Sequence, residues 1–311
     1  MQLFVYATLN DPARQLLLQQ LPAGIHPTFR QDLPESQQQA AFQQAEVVFG
    51  NPPPEWFAAG APATLQFWQI DSAGIDRYQE LRVEFLVANV GDYFAWPCAE
   101  TIVAGILGWY RAIPELAVLQ SRRQWVGGPI RGRVGLLRDK RVVILGSGAI
   151  GQAVAEQLAG FRCHVQLLAR TDARAQLHSR EDLLAALPET DLVINCLPGS
   201  ADQFFSTEMM QALPAHALYA SVGRGNTTDE AALLAALQAG RLAGAVLDVT
   251  AQEPLPADNP LWSLPNVLLT QHSGGGQPRE DEGKVEILLD NLHRLRHQQP
   301  LQNLVQLARG Y

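Results

Sequence analysis

The chain has 311 residues, 47% of them hydrophobic, and a formal net charge of −8. That length suits two domains of ordinary size. An acidic balance without a Lys/Arg run argues against nucleic acid or an anionic membrane surface as the main partner, and no stretch of about 18 uncharged apolar residues marks a membrane span. Cys98, Cys163 and Cys196 are odd in number and far apart. They read as reduced thiols, which predicts a cytoplasmic protein.

In chain order, short apolar runs alternate with helical segments. "LFVYA" (3–7), "VVFG" (47–50), "LQFWQI" (65–70) and "FLVANV" (85–90) read as strands. "DPARQLLLQQL" and "ESQQQAAFQQA" read as helices between them, and "NPPPEWF" as a turn. That alternation predicts a parallel sheet. "CAETIVAGILGWYRAIPELAVL" predicts one long helix, weak at Pro114, and "WVGGPIRGRVGLLRDK" a loop. The pattern then restarts, with strands at 141–146, 164–169, 191–197, 217–222, 244–249 and 266–270. "TTDEAALLAALQAG" carries a capping-box pattern from Thr227 to Glu230 and predicts a helix ending at Gly240. The amphipathic segment at about 278–297 predicts a return to the first domain, which would make that domain discontinuous.

"RVVILGSGAIGQAVA" places G-x-G-x-x-G directly after a strand and at the start of a helix. Gly146 permits the tight turn. Gly148 lets a pyrophosphate approach the backbone at the helix start, where Ala149 and Ile150 follow. Gly151 lets the helix pack closely on the strand. A dinucleotide cofactor is therefore predicted. An NAD site usually places an acid on the ribose 2′-hydroxyl about 20 residues further on. Here that position is Ala169, followed by Arg170 and Thr171. A guanidinium fork and a hydroxyl suit a 2′-phosphate, so NADP(H) is expected as the preferred cofactor, with NAD(H) as the alternative. The competing reading of Arg170 is a solvated side chain in a charged loop.

Three later strands end in "SVGRGNTTDE", "LDVTAQEPLP" and "LLTQHSGGG". Each offers one group fit for acid–base or anion work: Arg224, Glu253 and His272. Singly, each is equally a surface arginine, a loop glutamate and a packed histidine. Trp68, Tyr93, Phe94, Trp96 and Trp125 are candidates for a substrate cleft, although aromatics more often serve cores. His293 and His297, four apart, suggest a solvated helix face rather than a metal site, and no metal is expected.

Together these stretches resemble the D-isomer-specific 2-hydroxyacid dehydrogenase family. The matching pieces are "SAGID" (72–76), Ala99–Glu100, "ILGSGAIGQAVA", "INCLPGS", "SVGRGNTTDEAALLAAL", "GAVLDVTAQEPLP" and "VLLTQHSGG". The resemblance implies an α/β fold of two Rossmann-like domains with parallel sheets and a cleft between them. Residues 1–98 and 275–311 would form a discontinuous substrate domain, and residues 99–274 the dinucleotide-binding domain. It implies that Arg224 grips the carboxylate and carbonyl oxygen of a small 2-oxo acid and that His272 exchanges a proton with the carbonyl oxygen. Glu253 would orient the imidazole and favour its charged form. The backbone around Ser72, Ala73 and Gly74 would bind the substrate carboxylate. Leu197 and Pro198 would line the cofactor, Val222 and Gly223 would flank the nicotinamide, and Asp248 would contact its amide. Family members commonly dimerise through the region of the long helix, so a homodimer is expected.

The sequence departs from the family pattern in lacking the acid after the second strand, in "LPGSAD", and in Ser221 where Asn is common. "ARTDAR" and the C-terminal "LARGY" look like the NADPH-using glyoxylate/hydroxypyruvate reductase branch. The expected activity is reduction of glyoxylate or hydroxypyruvate. The alternatives are an NAD-dependent dehydrogenase of other substrate range and an NAD(P)H-sensing binding protein akin to co-repressors.

Overall fold

The computed structural model describes residues 1–58 and 60–310. Ala59 and Tyr311, the last residue of "LARGY", lie outside the described residues. The chain divides into two compact units, one built from Met1–Tyr93 and the stretch from Gln277 onward, the other from Phe94–Gly276.

The first unit runs β1 (Gln2–Val5), α1 (Asp11–Gln20), β2 (His26–Phe29), α2 (Glu35–Phe42), β3 (Val47–Phe49), α3 (Pro54–Ala58), β4 (Phe67–Gln69) and β5 (Leu86–Ala88). The second runs α4 (Ala95–Tyr110), α5 (Ile113–Ser121), α6 (Gly127–Arg131), β6 (Arg141–Leu145), α7 (Ala149–Ala159), β7 (His164–Leu168), α8 (Arg180–Ala186), β8 (Leu192–Asn195), α9 (Thr207–Ala212), β9 (Leu218–Ser221), α10 (Glu230–Gln238), β10 (Gly244–Leu247) and β11 (Val267–Leu269). The chain returns to the first unit with α11 (Glu280–Arg296).

Among the described residues the first unit holds a five-stranded sheet, β2-β1-β3-β4-β5, and the second a six-stranded sheet, β11-β10-β9-β8-β6-β7. Every pairing between these strands is parallel. Parallel strands need both faces covered, which explains the unbroken apolar runs. In the second unit Ile144, Ile194, Ala220 and Val246 face α4 and α7, while Val143, Val193 and Ala245 pack on Met209, Leu233 and Leu237. In the first unit Ala13 and Leu17 of α1 share a core with Val285, Leu288 and Leu292 of α11. The acidic residues Glu280–Glu282 open α11 and basic residues close it, which complements the helix dipole.

Several elements differ from their sequence expectation. The long helix breaks before Pro114: Ala112 adopts φ +54°, and α4 and α5 are bent by 70°. Pro114 lies in the first turn of α5, where its missing N–H costs nothing. The expected turn "NPPPEWF" contains α3, and the expected loop at 125–140 contains α6. Strand β2 carries no apolar alternation and forms through its register with β1, Gln2 opposite His26. The capping box at Thr227 is not formed. Asp229 caps α10 by accepting from the Ala232 N–H at 3.0 Å, and Thr227 lies in a preceding 3-10 turn.

Candidate active site

The glycine turn between β6 and α7 has the geometry a dinucleotide needs. Gly146 adopts φ +103°, a conformation that disfavours any side chain. A Cβ on Gly151 would stand 2.3 Å from the Gly146 carbonyl oxygen, so the helix can approach only if that residue is glycine. At Gly148 a Cβ would meet nothing within 4 Å, and no side chain caps α7. Open space in front of uncapped amides at Ala149 and Ile150 fits a pyrophosphate at a helix N-terminus.

Beyond β7, Arg170 and Thr171 are exposed. The nearby acid, Asp172, is engaged by Arg174: Nε reaches Oδ1 at 3.0 Å and Nη2 reaches Oδ2 at 2.8 Å. The Arg174 guanidinium, helped by the Ser147 hydroxyl from the glycine turn, holds the Asp172 carboxyl well below the usual carboxylate range.

Arg224, Glu253 and His272 lie beyond the carboxyl ends of β9, β10 and β11, which are neighbours in one sheet. In α/β sheets ligands bind at that end. The His272 Nδ1 and the Glu253 Oε2 are 2.5 Å apart. The other carboxylate oxygen, Oε1, accepts the Thr250 N–H at 3.0 Å, so the pair is held from two sides. Gln271 and His272 both adopt left-handed backbone, φ +58° and +53°. Two successive non-glycine residues there are costly and need support.

Asp248 supplies that support. Its carbonyl oxygen accepts the His272 N–H at 2.6 Å. Its carboxylate accepts the Thr270 hydroxyl at 2.6 Å, the Ser273 N–H at 3.1 Å and the Gly274 N–H at 3.2 Å. This buried acid therefore clamps both flanks of the histidine, a role its "LDV" context did not signal. Thr250 was likewise missed, because a backbone amide leaves no mark on a sequence.

The Arg224 loop is joined to the same assembly. A Cβ on Gly225 would lie 1.8 Å from the Thr250 carbonyl oxygen, and a Cβ on Gly223 2.4 Å from that of Leu197. Val222 is buried beside them. Leu197, which leads into Pro198, comes within 3.7 Å of the Cβ position of Gly146. Arg224, Asp248 and the Leu197 turn thus cluster with the dinucleotide turn in the second unit. A cavity of about 410 Å³ opens beside the pair, lined by Glu253, His272, Leu255, Trp262 and Leu269.

In the first unit, Ser72, Ala73 and Gly74 follow β4. The Ser72 hydroxyl donates to the Gly74 carbonyl at 2.8 Å, and the Asn89 side chain donates to the Ala73 carbonyl at 2.7 Å. These bonds tie down the carbonyls. The Ala73 and Gly74 amides remain as donors that an anion can take. Trp68 is a core residue, fully buried and donating to the Gly50 carbonyl at 2.8 Å. The His293 and His297 rings contact one another at 4.4 Å, and no group of three metal-ligating side chains occurs among the described residues.

The sequence profile described as the D-isomer specific 2-hydroxyacid dehydrogenase, NAD binding domain, matches residues 103–274. The chain belongs to the D-isomer-specific 2-hydroxyacid dehydrogenase family. It is an NAD(P)-dependent enzyme of that family, and its second unit contains the family's dinucleotide-binding domain. A glyoxylate/hydroxypyruvate reductase A from Salmonella typhimurium is 34% identical over 219 residues, 68% of each protein. Two solved structures of the family are similar in fold. That from Aeromonas salmonicida has a TM-score of 0.83 at 26% identity, with 98% of this chain and 99% of that one covered. That from Xanthobacter autotrophicus, in complex with NADPH and MES, has a TM-score of 0.82 at 25% identity, with 100% and 99% covered.

Proposed function

We propose that this protein reduces small 2-oxo acids, glyoxylate and hydroxypyruvate foremost, to 2-hydroxy acids with NADPH as reductant. The observation that carries the reading is the Glu253–His272 pair at 2.5 Å on a loop assembly shared with Arg224. The relative at 34% identity, a glyoxylate/hydroxypyruvate reductase, supports the substrate class.

When bound, the dihydronicotinamide supplies the hydride that reduces the substrate C2. The chain's residues do the rest. The planar Arg224 guanidinium grips the carboxylate and carbonyl oxygen. His272, held at Nδ1 by Glu253, presents Nε2 to the carbonyl oxygen and donates the proton that completes the hydroxyl; in the reverse direction it accepts that proton. Glu253 balances the charge of the imidazolium and fixes the plane of the ring. The Ala73 and Gly74 amides contribute a second contact to the carboxylate. The unit built from both ends of the chain acts as the substrate domain. Leu197, Pro198, Val222 and Gly223 line the cofactor.

Preference for NADPH rests on Arg170 and Thr171. The acid nearest to them, Asp172, is held in an ion pair by Arg174. The protein acts as a homodimer. Ile113 and Val118 on α5 are 54% and 46% exposed, Leu136 is 63% exposed and Trp125 99% exposed, apolar side chains that contact with a second copy would cover. Three unpaired cysteines suit a reducing, cytoplasmic compartment.

The test is a panel of 2-oxo acids assayed with NADPH and NADH in parallel. Glyoxylate and hydroxypyruvate turnover that favours NADPH is expected. A protein that oxidises neither cofactor with any 2-oxo acid would refute the reading.

A further inference from the structure

We infer that Asn195 is a positioning residue that, through the Thr227 hydroxyl, fixes the Arg224 backbone against the cofactor-side turn at Leu197. The inference rests on the reading of Arg224 as the substrate-binding cation.

Asn195 is the last residue of β8 and is fully buried, as are Thr227 and Tyr219. Its side-chain carbonyl accepts the Leu197 N–H at 3.0 Å. That N–H can only donate, which settles which end of the amide faces it. The amide nitrogen therefore points the other way, and it donates to the Tyr219 hydroxyl at 2.9 Å and the Thr227 hydroxyl at 2.8 Å. Having accepted that bond, the Thr227 hydroxyl directs its own proton to the Arg224 carbonyl at 2.6 Å. The same carbonyl accepts the Thr227 N–H at 3.1 Å.

Every proton direction in the relay is thus forced. Two loops that touch at Gly223 and Leu197 are also joined through one side chain. A second branch runs from Tyr219 to the Thr228 hydroxyl at 2.5 Å and does not reach Arg224. These polar groups sit inside an apolar layer, where such groups are costly unless satisfied. A satisfied network in that setting holds one arrangement. The arrangement held here is the extended backbone of Arg224, φ −131° and ψ 140°, from which its guanidinium projects.

Thr227→Val keeps the shape and removes the hydroxyl. It is expected to raise the glyoxylate KM at least ~5-fold while the NADPH Kd, measured by fluorescence without substrate, stays within about twofold. Thr227→Ser should restore KM to within about twofold of the parent. Asn195→Ala should raise both KM and the NADPH Kd, because the Leu197 turn also loses its acceptor. Tyr219→Phe removes the second branch together with the bond Asn195 makes to Tyr219, keeps the Asn195–Thr227 and Thr227–Arg224 bonds, and should leave KM unchanged. Should Thr227→Val fail to fold, Thr227→Ala is measured in the same way. Arg224→Gln serves as the reference. If it raises KM and Thr227→Val does not, the relay is wrong and the Arg224 assignment stands. If Tyr219→Phe raises KM as much as Thr227→Val, general loosening explains the effect and the relay is overturned. If Arg224→Gln leaves KM unchanged, the substrate-binding assignment falls and the relay with it.

Discussion

Glu253 holds His272 with one carboxylate oxygen, Oε2 to Nδ1 at 2.5 Å, while its other oxygen is held by the Thr250 amide. The histidine is therefore oriented by a group that is itself oriented. Glu253→Gln keeps the shape and removes the negative charge that balances an imidazolium. A hydrogen bond to a charged group is worth about 1.5–3 kcal/mol. The kcat for glyoxylate should fall roughly 10- to 100-fold, since ~1.4 kcal/mol is tenfold in rate. Steady-state kinetics at saturating NADPH check this; unchanged kcat would show that the charge is not used.

Cofactor choice is tested at Arg170. Arg170→Ala should weaken NADPH binding by about 1.5–3 kcal/mol, the range for a hydrogen bond to a charged group, and leave NADH nearly unaffected. Calorimetric titration of both cofactors decides it. Equal losses would remove the 2′-phosphate role.

The thiols give a pH prediction. Burial pushes Cys98 up to about 11 and Cys196 up to about 12. A raised pKa keeps the thiol protonated, and only the thiolate is nucleophilic. At pH 8, three units below the Cys98 value, only about one Cys98 in a thousand is a thiolate. Iodoacetamide at pH 8 should therefore leave Cys98 and Cys196 unmodified in the native protein and label both once guanidinium unfolds it. Both cysteines are partly exposed, so a reagent can reach them; peptide mass spectrometry reads the result, and rapid native labelling of either would contradict its raised pKa.

The proposed dimer is tested on α5 and the segments that follow it. Ile113→Asp combined with Leu136→Asp places two charges on the exposed apolar surface. Sedimentation should shift from dimer to monomer, with far-UV circular dichroism unchanged. A parent protein that sediments as a monomer at micromolar concentration would end the dimer proposal.

What the sequence made legible is what local sterics and chain direction impose. The turn was readable at Gly146, where a positive φ disfavours a side chain, and at Gly151, where a 2.3 Å approach excludes one. The strands of the second sheet were readable because burial on both faces leaves unbroken apolar runs. Arg224, Glu253 and His272 were readable as chemistry at strand ends and gained roles from the family pattern. Ala112 was not, because an alanine in left-handed conformation bears no local signal, and the break was assigned to the nearby proline instead.

Thr227 shows a different limit. Its spacing to Glu230 imitates a capping box, but Asp229 is better placed to cap, and the Thr227 hydroxyl is drawn to Asn195, 32 residues away. Asn195 itself sits in "DLVINCL", where a buried amide looks like one polar residue in a strand. Asp248 is similar: its three carboxylate bonds go to Thr270, Ser273 and Gly274, partners brought near only when β10 and β11 pair.

The most direct measurement is the kcat of His272→Ala with glyoxylate at saturating NADPH, alongside the NADPH Kd of the same variant. Loss of a general acid typically costs 10²- to 10⁴-fold. A fall of at least ~100-fold with an unchanged Kd is the predicted result. A kcat within a few-fold of the parent would contradict the account, because the proton would then come from another group.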